Sequence, residues 1–282
     1  MNKDLIFEEL TISGEVINIG NKLIKDIVKG INNAHGSLVT NYVSWVETIR
    51  REYEIKLQTP IFGLINRIYC QIYFFKDKEE IRQTWDSFNY GGTCSVENKT
   101  IYLIGYGVGK EIQTDFLSGL LYHELKHAYQ ESLYKSKELP YIFKIASNIV
   151  DGKIEVNNGL VNHISYLLYF FNRNEINANM ESIYQYLLND KPSDIHNYSC
   201  PIQKTFDYYL NLYQSIARIE IDNDTQTFIK RLYNKSFRQL MNLTNFGITF
   251  YESKERKVFA RYHQTQLLHE MCKFNPKLFY VR

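Results

Sequence analysis

The chain has 282 residues, of which 44% are hydrophobic and 23% are charged, and its formal net charge is +2. This composition is ordinary for a globular protein with a large core, and the interspersed charges argue against a dedicated nucleic-acid or membrane-surface protein. The four cysteines are far apart, and the first residues form no long apolar run. These features predict a soluble cytoplasmic protein without a signal peptide or a transmembrane segment.

Positive residues are densest between Lys230 and Arg261. A solvated helix face explains this run at least as well as a nucleic-acid site does, so we expect no nucleic-acid partner. The run comprises Lys230, Arg231, Lys235, Arg238, Lys254, Arg256, Lys257 and Arg261.

The first hundred residues predict two helices followed by a small sheet. Residues 16–33 and 39–56 carry apolar side chains at three- and four-residue spacing, which is typical of amphipathic helices. β-Branched and aromatic residues dominate 68–75, which predicts a strand. The segment GGTCSVENKTIYLIGYG, residues 91–107, predicts a hairpin with its turn at 97–99 and a returning strand at Ile101–Ile104.

The rest of the chain predicts helices with short connections. One helix should run from Thr114 to about Tyr134, and others should cover roughly 141–150, 160–189 and much of 200–245. A short strand is expected near residue 250, and residues 258–272 should be helical. The expected fold class is α+β and predominantly helical, with a small β-sheet packed on the helix from Thr114 and a helical C-terminal half.

The segment LLYHELKHAYQ, residues 120–130, places His123 and His127 four positions apart, with Glu124 directly after the first histidine. Helical residues at this spacing project from one face, so both imidazoles can reach one Zn²⁺ at about 2.0–2.1 Å. Glu124 is turned about 100° from His123, close enough to reach a metal-bound water without being a ligand. The alternative is a polar cluster that arose by chance.

The apolar neighbours of this motif place its three ionisable groups on or beside the buried face of the helix, with Lys126 on the opposite side. Burying a carboxylate such as that of Glu124 costs several kcal/mol unless something compensates it. A metal site would supply that compensation.

A β hairpin followed by a helix with His-Glu-x-x-His resembles the zincin metallopeptidases. The resemblance covers roughly residues 65–190, and it implies an edge strand that binds the substrate backbone by strand addition. The strand at Ile101–Ile104 is expected in that role. The implied organisation is a single zincin-like catalytic unit with N-terminal helices (1–60), a metallopeptidase core (65–190) and a helical C-terminal subdomain (191–282).

A catalytic zinc also needs a third protein ligand. His127 is followed neither by a glycine three residues on nor by a third histidine, which excludes the metzincin pattern. The segment NRNEINANMES, residues 172–182, resembles the Asn-Glu-x-x-x-Asp signature of the gluzincin ligand helix. By that resemblance Glu175 is the third ligand, and Asn179 accepts the outer ring N–H of a zinc-bound histidine. Glu181 is the main alternative to Glu175.

The resemblance also implies a mechanism with one zinc per chain. The metal activates a water for attack on a peptide bond, and Glu124 accepts the proton of that water and passes it to the leaving amine. Tyr262 and His263 are candidates for stabilising the negative charge that develops on the carbonyl oxygen.

The predicted function is therefore that of a zinc-dependent metallopeptidase acting on protein or peptide substrates. An alternative is a catalytically silent structural or binding protein on a zincin scaffold, for example a virion or complex component. The intact motif favours the enzyme, because Glu124 is needed for the chemistry and not for holding the metal. A regulator that cleaves a single partner has the same sequence features as a general peptidase.

Overall fold

The computed structural model describes residues 47–54, 67–75, 92–95, 100–108, 111–112, 114–133, 140–190 and 201–274, together with Lys25 and Glu79. By its contacts the chain divides into two compact units, Met1–Ser136 and Lys137–Arg282. The described residues are predominantly helical, as the sequence predicts.

The strands of the first unit form one sheet in the order β1-β2-β4-β3, with a short β5 also paired to β4. β2 and β4 are parallel, whereas the other neighbours are antiparallel. The strand bounds are β1 Glu47–Glu54, β2 Arg67–Phe75, β3 Gly92–Ser95, β4 Thr100–Val108 and β5 Glu111–Ile112.

β3 and β4 form the predicted hairpin, in which Ser95 pairs with Thr100. The turn predicted at 97–99 lies outside the described residues. Along β4, Ile101 and Leu103 are buried, whereas Tyr102 between them is 37% exposed. This alternation gives β4 one core-facing side, as expected for a strand with one buried face.

The prediction that the Ile101–Ile104 strand forms an edge of the sheet is wrong. β4 lies between β2 and β3, so Ile101 pairs with Ile68 on one side and with Cys94 on the other. Within the described part of the sheet, the edge strand on this side is β3. The sequence could not show this order, because it depends on the pairing of β2 with β4 across an intervening segment.

Residues 47–54 form a strand and not the helix predicted over 39–56. Glu47–Glu54 pairs along its whole length with β2. Ile49 and Tyr53 are four positions apart, and this spacing fits both one face of a helix and every second position of a strand. The predicted helix at 16–33 lies outside the described residues, apart from Lys25, which is helical.

The motif helix, α1, spans Thr114–Leu133, close to its predicted bounds, and it contacts β3 and β4. Lys126 is only 1% exposed, so the expectation that it lies opposite the buried face of the helix is wrong. Glu124 is also buried, although the two residues point about 160° apart around the helix axis. α1 is therefore enclosed on more than one side.

The described part of the second unit is built from helices. Their bounds are α2 Tyr141–Val150, α3 Gly159–Phe170, α4 Arg173–Asp190, α5 Pro201–Ile216, α6 Asn223–Tyr233 and α7 Phe237–Phe274. α4 contacts α3, α5 and α7, and every residue from Glu175 to Ile183 is buried. α4 is thus an interior helix of this unit.

The helix predicted over 160–189 is interrupted at Phe171 and Asn172, which separate α3 from α4. Gly247 of α7 approaches this junction closely. A Cβ at Gly247 would overlap the carbonyl oxygen of Phe171 and lie 2.6 Å from its Cβ. The missing side chain therefore lets α7 pack against the residues that lead into α4.

The short strand predicted near residue 250 is wrong, because that segment lies inside α7. Ile248, Tyr251 and Val258 are buried at helical spacing, whereas the β-branched and aromatic residues of 248–251, taken alone, are typical of a strand. The predicted helix over 258–272 is confirmed.

The basic run between Lys230 and Arg261 is not a continuous positive surface. Lys254 is buried, and its ammonium lies 5.1 Å from the centre of the Phe250 ring. Among the helices that the structure describes, none has both the length and the apolar character needed to cross a membrane.

Candidate metal centre

His123 and His127 face each other on successive turns of α1. Their Nε2 atoms are 3.1 Å apart, and their ring planes meet at 81°. Two nitrogen ligands of one tetrahedral zinc, each at about 2.0–2.1 Å, lie about 3.3 Å apart. The observed spacing is close to this value, although a hydrogen bond between two neutral imidazoles gives a similar distance. The groups around the pair therefore decide what it can bind.

The outer nitrogen of His127 has a partner on the same helix. Its Nδ1 lies 3.1 Å from Oε1 of Gln130, three residues further on. An amide oxygen only accepts hydrogen bonds, so this contact requires a proton on Nδ1. The lone pair of His127 is then on Nε2, the atom that faces His123.

Glu124 lies on α1 beside the histidine pair and is 3% exposed. The prediction that this carboxylate belongs to the buried part of the helix is confirmed. Its backbone position, one residue after His123, turns it about 100° away from that histidine. Its predicted role as a general base stays a prediction.

Glu175 lies in the first turn of α4, and Asn172 fixes the start of that helix. Asn172 Oδ1 accepts hydrogen bonds from the backbone N–H groups of Asn174, at 2.9 Å, and Glu175, at 3.0 Å. This is the arrangement of an N-cap, which holds the first turn in one conformation. The Glu175 side chain is 8% exposed, and a carboxylate at this end of a helix is favoured by the helix dipole.

One ring nitrogen of His123, one of His127 and one carboxylate oxygen of Glu175 all lie within 4.8 Å of one another. Two imidazoles and one carboxylate are a donor set that zinc accepts in catalytic sites, with a fourth position left for water. These are the three ligands that the sequence predicts.

The other predicted residues of α4 are buried as well. Glu181, the alternative ligand, is fully buried, and Gln185 Nε2 donates a hydrogen bond of 3.0 Å to its Oε1. Asn179 is 5% exposed, and its Nδ2 has no hydrogen-bond partner among the described residues. Its proposed contact with an outer ring nitrogen stays a prediction, and for His127 the structure shows Gln130 in that place.

Tyr262 and His263 are neighbours on α7, with ring centroids 6.3 Å apart. Tyr262 is buried, whereas His263 is exposed. Their predicted role in stabilising the carbonyl oxygen stays a prediction.

Comparisons of the chain with protein-family models, with curated proteins and with solved structures give no match. The chemistry of the centre is therefore inferred from its residues and their geometry alone.

Proposed function

We propose that the protein is a zinc-dependent metallopeptidase of the gluzincin type, with His123, His127 and Glu175 as the ligands of one zinc. The observation that carries this proposal is the proximity of the three ligand atoms, all within 4.8 Å of one another. The Nε2 atoms of His123 and His127 are 3.1 Å apart, close to the separation of about 3.3 Å that two nitrogen ligands of one tetrahedral zinc would have.

The donor set fits zinc better than its common competitors. Calcium and magnesium prefer oxygen ligands, and a structural zinc site is usually closed by cysteines and histidines. Two histidines with one glutamate leave a coordination position open, which is the arrangement of a hydrolytic site.

When bound, zinc would supply a Lewis acid that lowers the pKa of a coordinated water and polarises the peptide carbonyl. Glu124 would accept the proton of the attacking water and deliver it to the leaving nitrogen, so that the amine departs as a neutral group. Burial of Glu124 supports this role, because it keeps bulk water from competing for the carboxylate.

A substrate backbone can add to the sheet at β3, Gly92–Ser95. β3 is the edge strand on this side of the described sheet, and it contacts the helix that carries the histidines. At such an edge, main-chain hydrogen bonds to an extended peptide supply the affinity, and pockets for its alternate side chains supply the specificity. The zincin-like arrangement of sheet and motif helix is part of this proposal.

The proposed activity is tested by incubating the protein with an unstructured protein substrate and identifying the fragments by mass spectrometry. We expect cleavage that stops when a zinc chelator strips the metal and returns when zinc is restored, because a histidine-carboxylate site loses its catalyst with its metal. Cleavage that continues unchanged after stripping would contradict the proposal. Zinc binding without any cleavage would favour a catalytically silent binding protein.

A further inference from the structure

We propose that Gln130 is a positioning residue that fixes the tautomer of His127 for metal binding, an inference that rests on the proposed zinc site. Gln130 Oε1 lies 3.1 Å from His127 Nδ1. The Gln130 side chain is 8% exposed, so water has little access to replace it. Residues three apart on a helix share a face, which makes this contact a property of α1 itself.

The direction of this hydrogen bond determines whether His127 can bind a metal. A neutral imidazole carries one N–H, and donating it from Nδ1 to the Gln130 oxygen leaves the lone pair on Nε2. This Nε2 is the atom 3.1 Å from Nε2 of His123. If the Gln130 amide were turned over, its NH₂ group would donate to Nδ1, and the proton would then occupy the metal-binding nitrogen.

Glutamine at this position also affects how strongly the proposed site binds zinc. A carboxylate in this position would make the imidazole a more basic ligand, whereas an amide oxygen orients the ring and polarises it less. Gln130 therefore supplies orientation and tautomer choice without adding negative charge to a helix that already buries Glu124.

This role is tested by measuring zinc dissociation constants by competition with a chromophoric chelator. The proteins compared are the wild type, Gln130→Ala and Gln130→Glu. We expect Gln130→Ala to bind zinc about 10–100-fold more weakly, which is the usual cost of losing such a partner. Gln130→Glu should restore the affinity, since a carboxylate oxygen accepts the same hydrogen bond. Ser118→Ala, which removes a half-buried hydroxyl from the same helix, is the control and should leave the affinity unchanged.

The tautomer is measured directly by long-range ¹H–¹⁵N NMR of the metal-free wild type. We expect His127 to carry its proton on Nδ1 and to lose this preference in Gln130→Ala. A proton on Nε2 in the wild type would overturn the inference, and so would an unchanged zinc affinity in Gln130→Ala.

If the wild type binds no zinc, both the inference and the proposed function fail. If zinc binding depends on Gln130 but no peptide is cut, only the peptidase proposal fails.

Discussion

Replacing Glu124 with glutamine is expected to abolish peptide hydrolysis while leaving zinc bound. The amide has nearly the shape of the carboxylate, so it fills the same buried space, but it cannot accept a proton at neutral pH. General acid–base groups contribute about 10²–10⁴-fold to rates, and loss of the base should lower kcat by about that factor. His123 and His127 are untouched, so the zinc content should equal that of the wild type.

The control for this experiment is Glu155→Gln, which makes the same chemical change at an exposed position of the second unit. It should retain full activity. If Glu124→Gln cleaved the substrate as fast as the wild type, Glu124 would not be the base, and the mechanism would be wrong. If it lost zinc along with activity, Glu124 would be needed for the metal and not for the proton transfer.

Glu175→Gln is expected to weaken zinc binding strongly, because an amide oxygen is a far poorer zinc ligand than a carboxylate. The zinc affinity should fall by more than the factor of about 10–100 that is typical when the mutated residue contacts a metal ligand and not the metal itself. Asn172 caps α4 through the backbone and not through the Glu175 side chain, so the helix should keep its conformation. Circular dichroism would check the helix, and chelator competition would give the zinc dissociation constant.

Glu181→Gln is the matched comparison, since Glu181 is buried on the same helix and hydrogen-bonded to Gln185. It should bind zinc as tightly as the wild type. The opposite result, with zinc affinity lost in Glu181→Gln and kept in Glu175→Gln, would assign the third ligand to Glu181.

Local patterns predicted the elements around the motif well. α1, the strand β2 and the β3–β4 hairpin all lie where their spacing and composition placed them, because these signals are contained within a dozen residues. The segment 47–54 was predicted wrongly because the four-residue spacing of Ile49 and Tyr53 fits both a helix and a strand. Only the pairing with β2 shows that the segment is a strand. The position of β4 inside the sheet likewise depends on partners distant in sequence.

Sequence reasoning found the proposed ligands and missed the residues that hold two of them. Asn172, three residues before Glu175, has the spacing of a helix cap, and this signal could have placed the start of α4. Gln130, three residues after His127, could have been recognised as a neighbour on the same helix face. Neither side chain is a proposed metal ligand, so the spacing of the ligands does not indicate either of them.

The central claim, that His123 and His127 hold a metal, is tested most directly by elemental analysis of the purified wild type beside a His123→Ala/His127→Ala variant. We expect one zinc per wild-type chain and none in the variant, with both proteins folded by circular dichroism. A wild type that holds no zinc even after incubation with the metal would contradict the claim. The 3.1 Å contact between the rings would then be a hydrogen bond within a polar cluster.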